Sequence, residues 1–193
     1  LYNIKYDDEK IDLNKEYMEK IKQVSQKNLK MELAYKLLDD AIKARLKGNL
    51  TKQKSFQERI EKTLSKYQNK FESFDTLYPE LEKVASDVTD ETKRTKELNM
   101  TDEEIAFYDI VMMGREYLEN DEVARKIAID VVDALKKNLK IDWLNQEQVK
   151  ADIRNKVRDV LRKNKFPLDK IEEVIPVIMQ QTENNYREVG FDS

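Results

Sequence analysis

Apolar side chains recur every third or fourth residue in one segment of this chain after another, and this period constrains the fold most. Such spacing places them on one face of an α-helix. Residues that break helices are scarce, because 193 residues include only three glycines and three prolines. Charged residues make up 39% of the chain, and Lys and Glu are good formers of exposed helix. The pattern predicts an all-α protein without strands.

The periodic segments number seven to eight, which predicts an irregular helical bundle arranged in two lobes. The first lobe covers residues 1–98, in which 1–12 form a tail or entry segment, and the second covers 99–193. Residues 89–99 carry one apolar side chain, Leu98. They are therefore either the linker between the lobes or a solvated extension of a helix. No period of 20–50 residues repeats, which disfavours a solenoid.

Helix ends are predicted from capping residues and breakers. Segments 55–58 and 101–104 carry the capping-box pattern, in which two side chains satisfy each other's backbone amides. Gly48 suits the left-handed residue that follows a helix, and Pro79 suits a first turn. Pro176 lies inside the last helix and predicts a kink or a division there. Single caps are predicted at Asp121, at Asn145 paired with Gln148, and at Asp169.

Missing residue types exclude several classes of site. The chain has no His and no Cys, which excludes zinc sites built on those ligands, thiol nucleophiles and Ser-His-Asp chemistry. Its three isolated glycines cannot form a phosphate-binding loop. Asp87, Glu91 and Lys93 resemble an acidic-acidic-lysine nuclease set, but their segment has no strand pattern, and coincidence is favoured. No catalytic, cofactor-binding or metal site is predicted.

The same composition bears on location. No apolar run approaches the roughly 20 residues of a membrane span, and no signal-peptide pattern opens the chain. A chain without cysteine is compatible with the reducing cytoplasm. We therefore expect a cytoplasmic protein with no membrane partner.

A basic stripe is the most informative surface feature. Lys150, Arg154, Arg158 and Arg162 recur every fourth residue beside an apolar stripe with the same spacing. Residues 136–165 hold ten basic and four acidic side chains, whereas residues 101–133 hold ten acidic and three basic ones. The two segments could face each other and neutralise charge within the fold, or the stripe could contact an acidic protein or DNA phosphates. The charge count favours the first interpretation and leaves the other two open.

Three aromatic residues of the two charged segments are candidates for a structural or a functional role. Trp143, the only tryptophan, lies between two predicted helices. Its structural role would be a plug whose indole N–H is bonded to a nearby carbonyl, and its functional role would be a partner hot spot. The plug is favoured. Tyr108 is in phase with a core stripe, whereas Phe107 is off that stripe; core positions are favoured for both.

Several short motifs follow one another in a specific order. They lie at 28–38, 49–50, 55–56, 67–69, 101–109 with Phe107 and Tyr108, 127–132, 141–161 with Asp142 and Trp143, 166–169 with Pro167 and Asp169, and 177–183. Their order resembles the C-terminal helical region of type I restriction enzyme R subunits, over about residues 28–186. The chain departs from the family at 96–99, which replace a glycine-bearing stretch, and at 167–168, where a single proline replaces the family's double proline.

This resemblance implies a role without chemistry of its own. The family's whole R subunit is an ATP-dependent type I site-specific deoxyribonuclease that uses ATP and magnesium, with nuclease and motor domains whose motifs this chain lacks. The resemblance therefore implies a non-catalytic assembly domain that needs no cofactor. It would dock the translocase and nuclease, the remainder of the R subunit, onto the methyltransferase and specificity subunits. DNA contact through the basic stripe is the alternative.

Overall fold

The structure, a computed structural model, describes residues 15–140 and 143–187, excepting the side chains of residues 15–17 and 117. The predicted tail, residues 1–12, lies outside this part. Every regular element within the described ranges is helical, which confirms the all-α prediction, and there are nine α-helices rather than seven to eight. The helices are α1 Lys15–Lys22, α2 Lys27–Arg45, α3 Leu50–Gln68, α4 Phe74–Glu91, α5 Arg94–Leu98, α6 Asp102–Val111, α7 Asp121–Asn138, α8 Glu147–Lys163 and α9 Leu168–Tyr186, with short 3₁₀ helices at Met112–Tyr117 and Trp143–Asn145.

The chain divides into two compact units, and each has an apolar core of its own. The first unit comprises residues up to Lys47 together with Lys52–Glu97. The second comprises Gly48–Thr51 and the residues from Leu98 onward. The assignment of Gly48–Thr51 to the second unit has no counterpart in the apolar pattern. No helix in the described ranges is long and apolar enough to cross a membrane.

The first unit buries one face of each of its longer helices. In α2 the buried face carries Met31, Ala34 and Leu38, whereas Leu29, another apolar residue of the helix, is 38% exposed. Leu29 lies too far around the helix from Ala34 and Leu38 to share their face. In α3 the side chains of Phe56 and Ile60 are buried.

Helix α4 begins earlier than the sequence predicts. Ser73 is its N-cap, with the side-chain oxygen accepting a hydrogen bond from the Thr76 amide, so Pro79 is the sixth residue rather than a first-turn residue. A proline there removes one hydrogen bond to the preceding turn. The helix nevertheless continues, and Leu81 and Val84 are buried as predicted.

Two further end signals in the first half of the chain prove wrong. Helix α3 begins at Leu50, so Ser55, the predicted cap, lies inside it. Gly48 does not adopt a left-handed conformation; instead Lys70, Asn99 and Lys165 are the non-glycine residues with positive φ in the described ranges. A methyl group added at Gly48 would meet nothing within 4 Å, so that position does not require glycine.

The 89–99 stretch is largely helical. Helix α4 continues to Glu91, and the short helix α5 follows at Arg94–Leu98. Of the two interpretations, the solvated helical extension therefore describes this stretch better than an open linker. Its charged side chains pair along the helix, as in the contact between Arg94 and Glu91 at 2.7 Å.

In the second unit, α6 and α7 pack closely, α7 contacts α8, and α9 contacts both α6 and α8. The capping box predicted at 101–104 is confirmed: the Glu104 amide donates to Thr101 Oγ1 at 3.2 Å, and the Thr101 amide donates to Glu104 Oε2 at 2.8 Å. It starts α6, in which every residue from Ile105 to Val111 is buried.

Other helix ends of this unit differ from the predictions. Asn120, not Asp121, caps α7 by accepting a hydrogen bond from the Val123 amide. Asn145 is the last residue of a 3₁₀ helix, so it cannot cap α8, whose cap position is Gln146. Helix α9 runs undivided through Pro176, which is exposed and therefore leaves the buried face intact.

Candidate functional site

The predicted basic stripe lies along α8. Its apolar neighbours Ile153, Val157 and Leu161 are buried in the second core, which fixes the orientation of the helix. As a result Lys150, Arg154 and Arg158 are half-buried at the edge of that face, and Arg162 is exposed. The stripe rises about 6 Å per cation and about 18 Å from end to end, from 1.5 Å per helical residue. It is a linear array of positive charge.

One exposed carboxylate neutralises the first half of the stripe. Glu147, at the start of α8, accepts a hydrogen bond from Lys150 Nζ at 2.9 Å, and Arg154 Nη2 lies 3.8 Å from its other oxygen. The hydrogen bond and charge of Lys150 lower the pKa of Glu147, so this carboxylate is ionised at neutral pH. The Glu147 side chain is 79% exposed, which makes the pair a surface contact.

A second carboxylate, on α9, faces the other half. Arg158 donates to both oxygens of Glu172, at 2.9 and 3.2 Å, and also to Asn155 Oδ1 at 2.8 Å. The hydrogen bond from Arg158 is the main cause that lowers the pKa of Glu172, and the charge of Arg162 contributes further. Within the described part of the chain Arg162 has no ion pair of its own.

The stripe finds partners inside the fold, and residues 101–133 meet the basic segment at other positions. Glu147 and Glu172 both lie outside residues 101–133. Those residues contact the basic segment through the Lys136–Glu103 ion pair at 2.5 Å and through Asn164, which donates to Asp130 at 2.9 Å. The two segments therefore face each other, as the charge count favours, but helix spacing alone does not show which neighbouring helix faces the stripe.

Trp143 lies where the plug interpretation places it. It is 3% exposed within the second core, and its indole N–H donates to the carbonyl of Tyr186 at 3.3 Å. The bond joins the turn before α8 to the end of α9. Burial, followed by the nearby Glu103 carboxylate, raises the pKa of the Tyr186 phenol, which is therefore protonated at neutral pH.

The other signature residues have separate positions. Phe107 and Tyr108 are both buried in the second core, at 0% and 6% exposure. Pro167 is the cap position of α9. Asp169 is exposed in the first turn, where its negative charge interacts favourably with the helix dipole. Asp142 lies outside the described residues. The signature is thus spread over a core rather than gathered into one surface site.

A buried polar network escaped the sequence prediction. The side-chain amide of Gln181 accepts from the Leu50 amide and donates to the Gly48 carbonyl, both at 2.9 Å, while Asn49 donates to Asp109 at 2.7 Å. Gln181 is 1% exposed. These contacts hold Gly48–Thr51 in the second unit. The sequence offered one signal, because Gln181 is a polar residue in phase with the buried positions of α9. Gln181, Asn49 and Asp109 also all lie in segments that resemble the family.

The nuclease-like set does not come together. Asp87 binds Arg59 at 2.7 Å, and Glu91 binds Lys52 at 3.1 Å as well as Arg94. Lys93 contacts Asp90 instead. In residues 15–140 and 143–187, no group of three or more His, Cys, Asp or Glu side chains is arranged to hold a metal ion.

Large apolar side chains reach the surface at a few places. In the first unit Phe71 is 78% exposed and lies at a cleft of about 600 Å³, whose lining includes Met31, Leu64 and Tyr67. In the second unit Met113 and Leu168 are 62% and 71% exposed. Exposed aromatic and methionine side chains are enriched at protein interfaces, so these are candidate contact points.

Comparison with known proteins decides the family. The model of a family described as type I restriction enzyme HindI endonuclease subunit-like, C-terminal, matches residues 3–188. The chain belongs to this family. It is the C-terminal domain of a type I restriction enzyme endonuclease subunit, as the ordered motifs predicted.

Two curated relatives of this family extend the comparison. The chain is 34% identical over 173 residues to the type I restriction enzyme HindI endonuclease subunit of Haemophilus influenzae. It is 28% identical over 153 residues to a putative type I restriction enzyme MjaIXP endonuclease subunit of Methanocaldococcus jannaschii. These matches cover 89% and 78% of the chain but only 16% and 15% of the relatives. No solved structure matches significantly.

Proposed function

We propose that this domain is a non-catalytic assembly module, which docks the motor and nuclease part of a type I restriction enzyme onto its methyltransferase and specificity subunits. The family match carries the proposal, because it places the chain in the C-terminal sixth of endonuclease subunits. ATP, magnesium and DNA cleavage belong, in this proposal, to the remainder of the subunit.

The surface supports a docking role. Phe71 projects at the rim of a cleft lined by Met31, Leu64 and Tyr67. An aromatic side chain beside such a pocket is the kind of anchor that dominates protein interfaces. The cleft lining also includes Glu32, Lys70 and Glu72, so the complementary surface would carry an apolar side chain together with charged ones of both signs.

Co-elution tests the proposal. The chain is mixed with the cognate methyltransferase–specificity complex and applied to a size-exclusion column, with the intact endonuclease subunit and a version lacking this domain run in parallel. We expect the chain to co-elute and the truncated subunit to fail. If the chain does not associate while the truncated subunit does, the docking role is wrong.

A second candidate is DNA contact through the basic stripe. The observation that favours it is the exposure of Arg162 together with the half-exposure of the other three cations. Duplex binding is measured against salt for the chain and for a variant with Lys150, Arg154, Arg158 and Arg162 all changed to Gln. A steep salt dependence that this variant loses supports the candidate, and equal binding by both proteins contradicts it.

A further inference from the structure

The carboxylates that neutralise the stripe are themselves exposed. Glu147 is 79% and Glu172 is 66% exposed, whereas Lys150 and Arg158 are only about a quarter exposed. The cations are thus held by the fold, and the anions lie over them from the solvent side. Exposed ion pairs contribute little to stability, so a competing anion can replace these carboxylates at low cost.

The stripe fits a linear polyanion better than a folded protein partner. None of the large apolar side chains of α8 is exposed, so the stripe offers no apolar anchor of the kind that protein interfaces use. Phosphate contacts need no such anchor. Its length of about 18 Å equals the axial rise of about five base pairs of duplex DNA, at 3.4 Å of helix axis each.

We propose that Glu147 and Glu172 compete with the phosphate groups of duplex DNA for the cations of the stripe. In the free domain two carboxylates occupy three of the four cations of the stripe. On binding, DNA phosphates displace both carboxylates and reach all four. This inference rests on the second candidate function above and adds a mechanism that holds the affinity of the stripe for DNA low.

The test uses two double variants of the full chain that have the same net charge. The first, E147Q/E172Q, removes both competitors. The control, E173Q/E183Q, removes two other glutamates of α9 that are also exposed and pair with Lys170 and Arg187 outside the stripe. Glu173 follows Glu172 directly and matches it in exposure, at 64% against 66%, so the control separates local competition from global charge.

Binding is measured by fluorescence anisotropy with a labelled duplex of about 30 base pairs at salt concentrations from about 50 to 200 mM. For E147Q/E172Q we expect affinity to rise about tenfold or more at the lowest salt. Because the phosphates reach all four cations in both proteins, the slope of log affinity against log salt should stay the same. The control should gain much less affinity. Far-UV circular dichroism verifies that each variant is folded.

Four results would overturn the inference. Equal gains in both double variants would mean that only net charge matters. An unchanged affinity of E147Q/E172Q for DNA, while the fourfold stripe variant loses DNA binding, would refute the competition and retain the second candidate. Equally tight binding of E147Q/E172Q to poly-glutamate would assign the stripe to an acidic protein. If the fourfold variant binds DNA as tightly as the original chain does, DNA contact through the stripe is wrong, and the competition is wrong with it.

Discussion

The tripeptide Asn-Lys-Phe occurs twice, at 69–71 and at 164–166, and the same backbone turn ends helices α3 and α8 there. In both, the lysine is left-handed with φ of 58°, and the Phe amide donates across the turn to a carbonyl five residues earlier. This is the Schellman arrangement. Yet Phe166 is 1% exposed and Phe71 is 78% exposed. Local sequence fixes the turn, and tertiary context decides the use of its aromatic side chain.

The contacts around each turn explain the difference. Asn164 donates to Asp130 of α7 and accepts from Lys126, so α7 holds the second turn in place. Phe166 then lies against Gly114, where an added methyl group would come within 3.0 Å of the ring. The amide group of Asn69 reaches only Ser65 of its own helix. The first turn thus leaves its Phe at an open cleft.

The largest expected effect is that of Phe166→Ala. This change empties a fully buried site in the second core, and we expect the free energy of unfolding to fall by about 3–5 kcal/mol. Trp143 is the only tryptophan and is buried in the same core, so its fluorescence during urea denaturation reports on this unit. A loss of less than about 1 kcal/mol would contradict the burial of Phe166.

Gly114→Ala tests the contact beneath Phe166. The new methyl group would lie 3.0 Å from Cζ of the ring, so the buried ring must move by a few tenths of an ångström. We expect a destabilisation of about 1–3 kcal/mol from overpacking. Adding Phe166→Leu should relieve part of it, which a double-mutant cycle measures. Additive losses in that cycle would mean that the two residues do not share this contact.

Lys70→Gly and Lys165→Gly test what the two turns share. Glycine adopts positive φ without the steric cost of a side chain, although it loses more backbone entropy on folding. We therefore expect each change to stabilise its unit slightly, by up to about 1 kcal/mol, and by similar amounts. Thermal unfolding followed by far-UV circular dichroism measures both. A gain at one turn and a loss at the other would show that the turns are not locally equivalent.

The sequence predicts those parts of the fold that depend on local spacing. The all-α class, the capping box at 101–104 and the plug role of Trp143 follow from periods and short motifs. The start of α3 does not, because Leu50 is held by Gln181, which is distant in the chain. The exposure of Leu29 does not follow from local spacing either. Helix α2 carries apolar residues on more than one face, so the helices packed against it determine which face is buried.

The same limit applies to the candidate site. The four cations of the stripe could be placed on one edge of α8 from their spacing alone. The pairing of Arg158 with Glu172 could not be predicted, because it depends on how α9 crosses α8. The network of Gln181, Asn49 and Asp109 likewise joins three segments that no local pattern brings together.

The smallest expected effect on stability is that of Phe71→Ala, and it is the most informative about function. A side chain that is 78% exposed contributes little to folding, so we expect the free energy of unfolding to change by less than about 0.5 kcal/mol. If Phe71 is the docking anchor proposed above, the same change weakens association with the methyltransferase–specificity complex by about 2 kcal/mol or more, about thirtyfold.

The matched control for this prediction is Leu29→Ala, which truncates another exposed apolar side chain of the first unit. Affinities of both variants are measured by titrating the chain against the immobilised complex, after circular dichroism has shown that they are folded. We expect Leu29→Ala to bind as the original chain does. Equal affinity for Phe71→Ala would remove the cleft from the docking surface and leave Met113 and Leu168, in the second unit, as the exposed apolar contacts to test. The Phe side chains of the two Asn-Lys-Phe turns would then differ in packing but not in function.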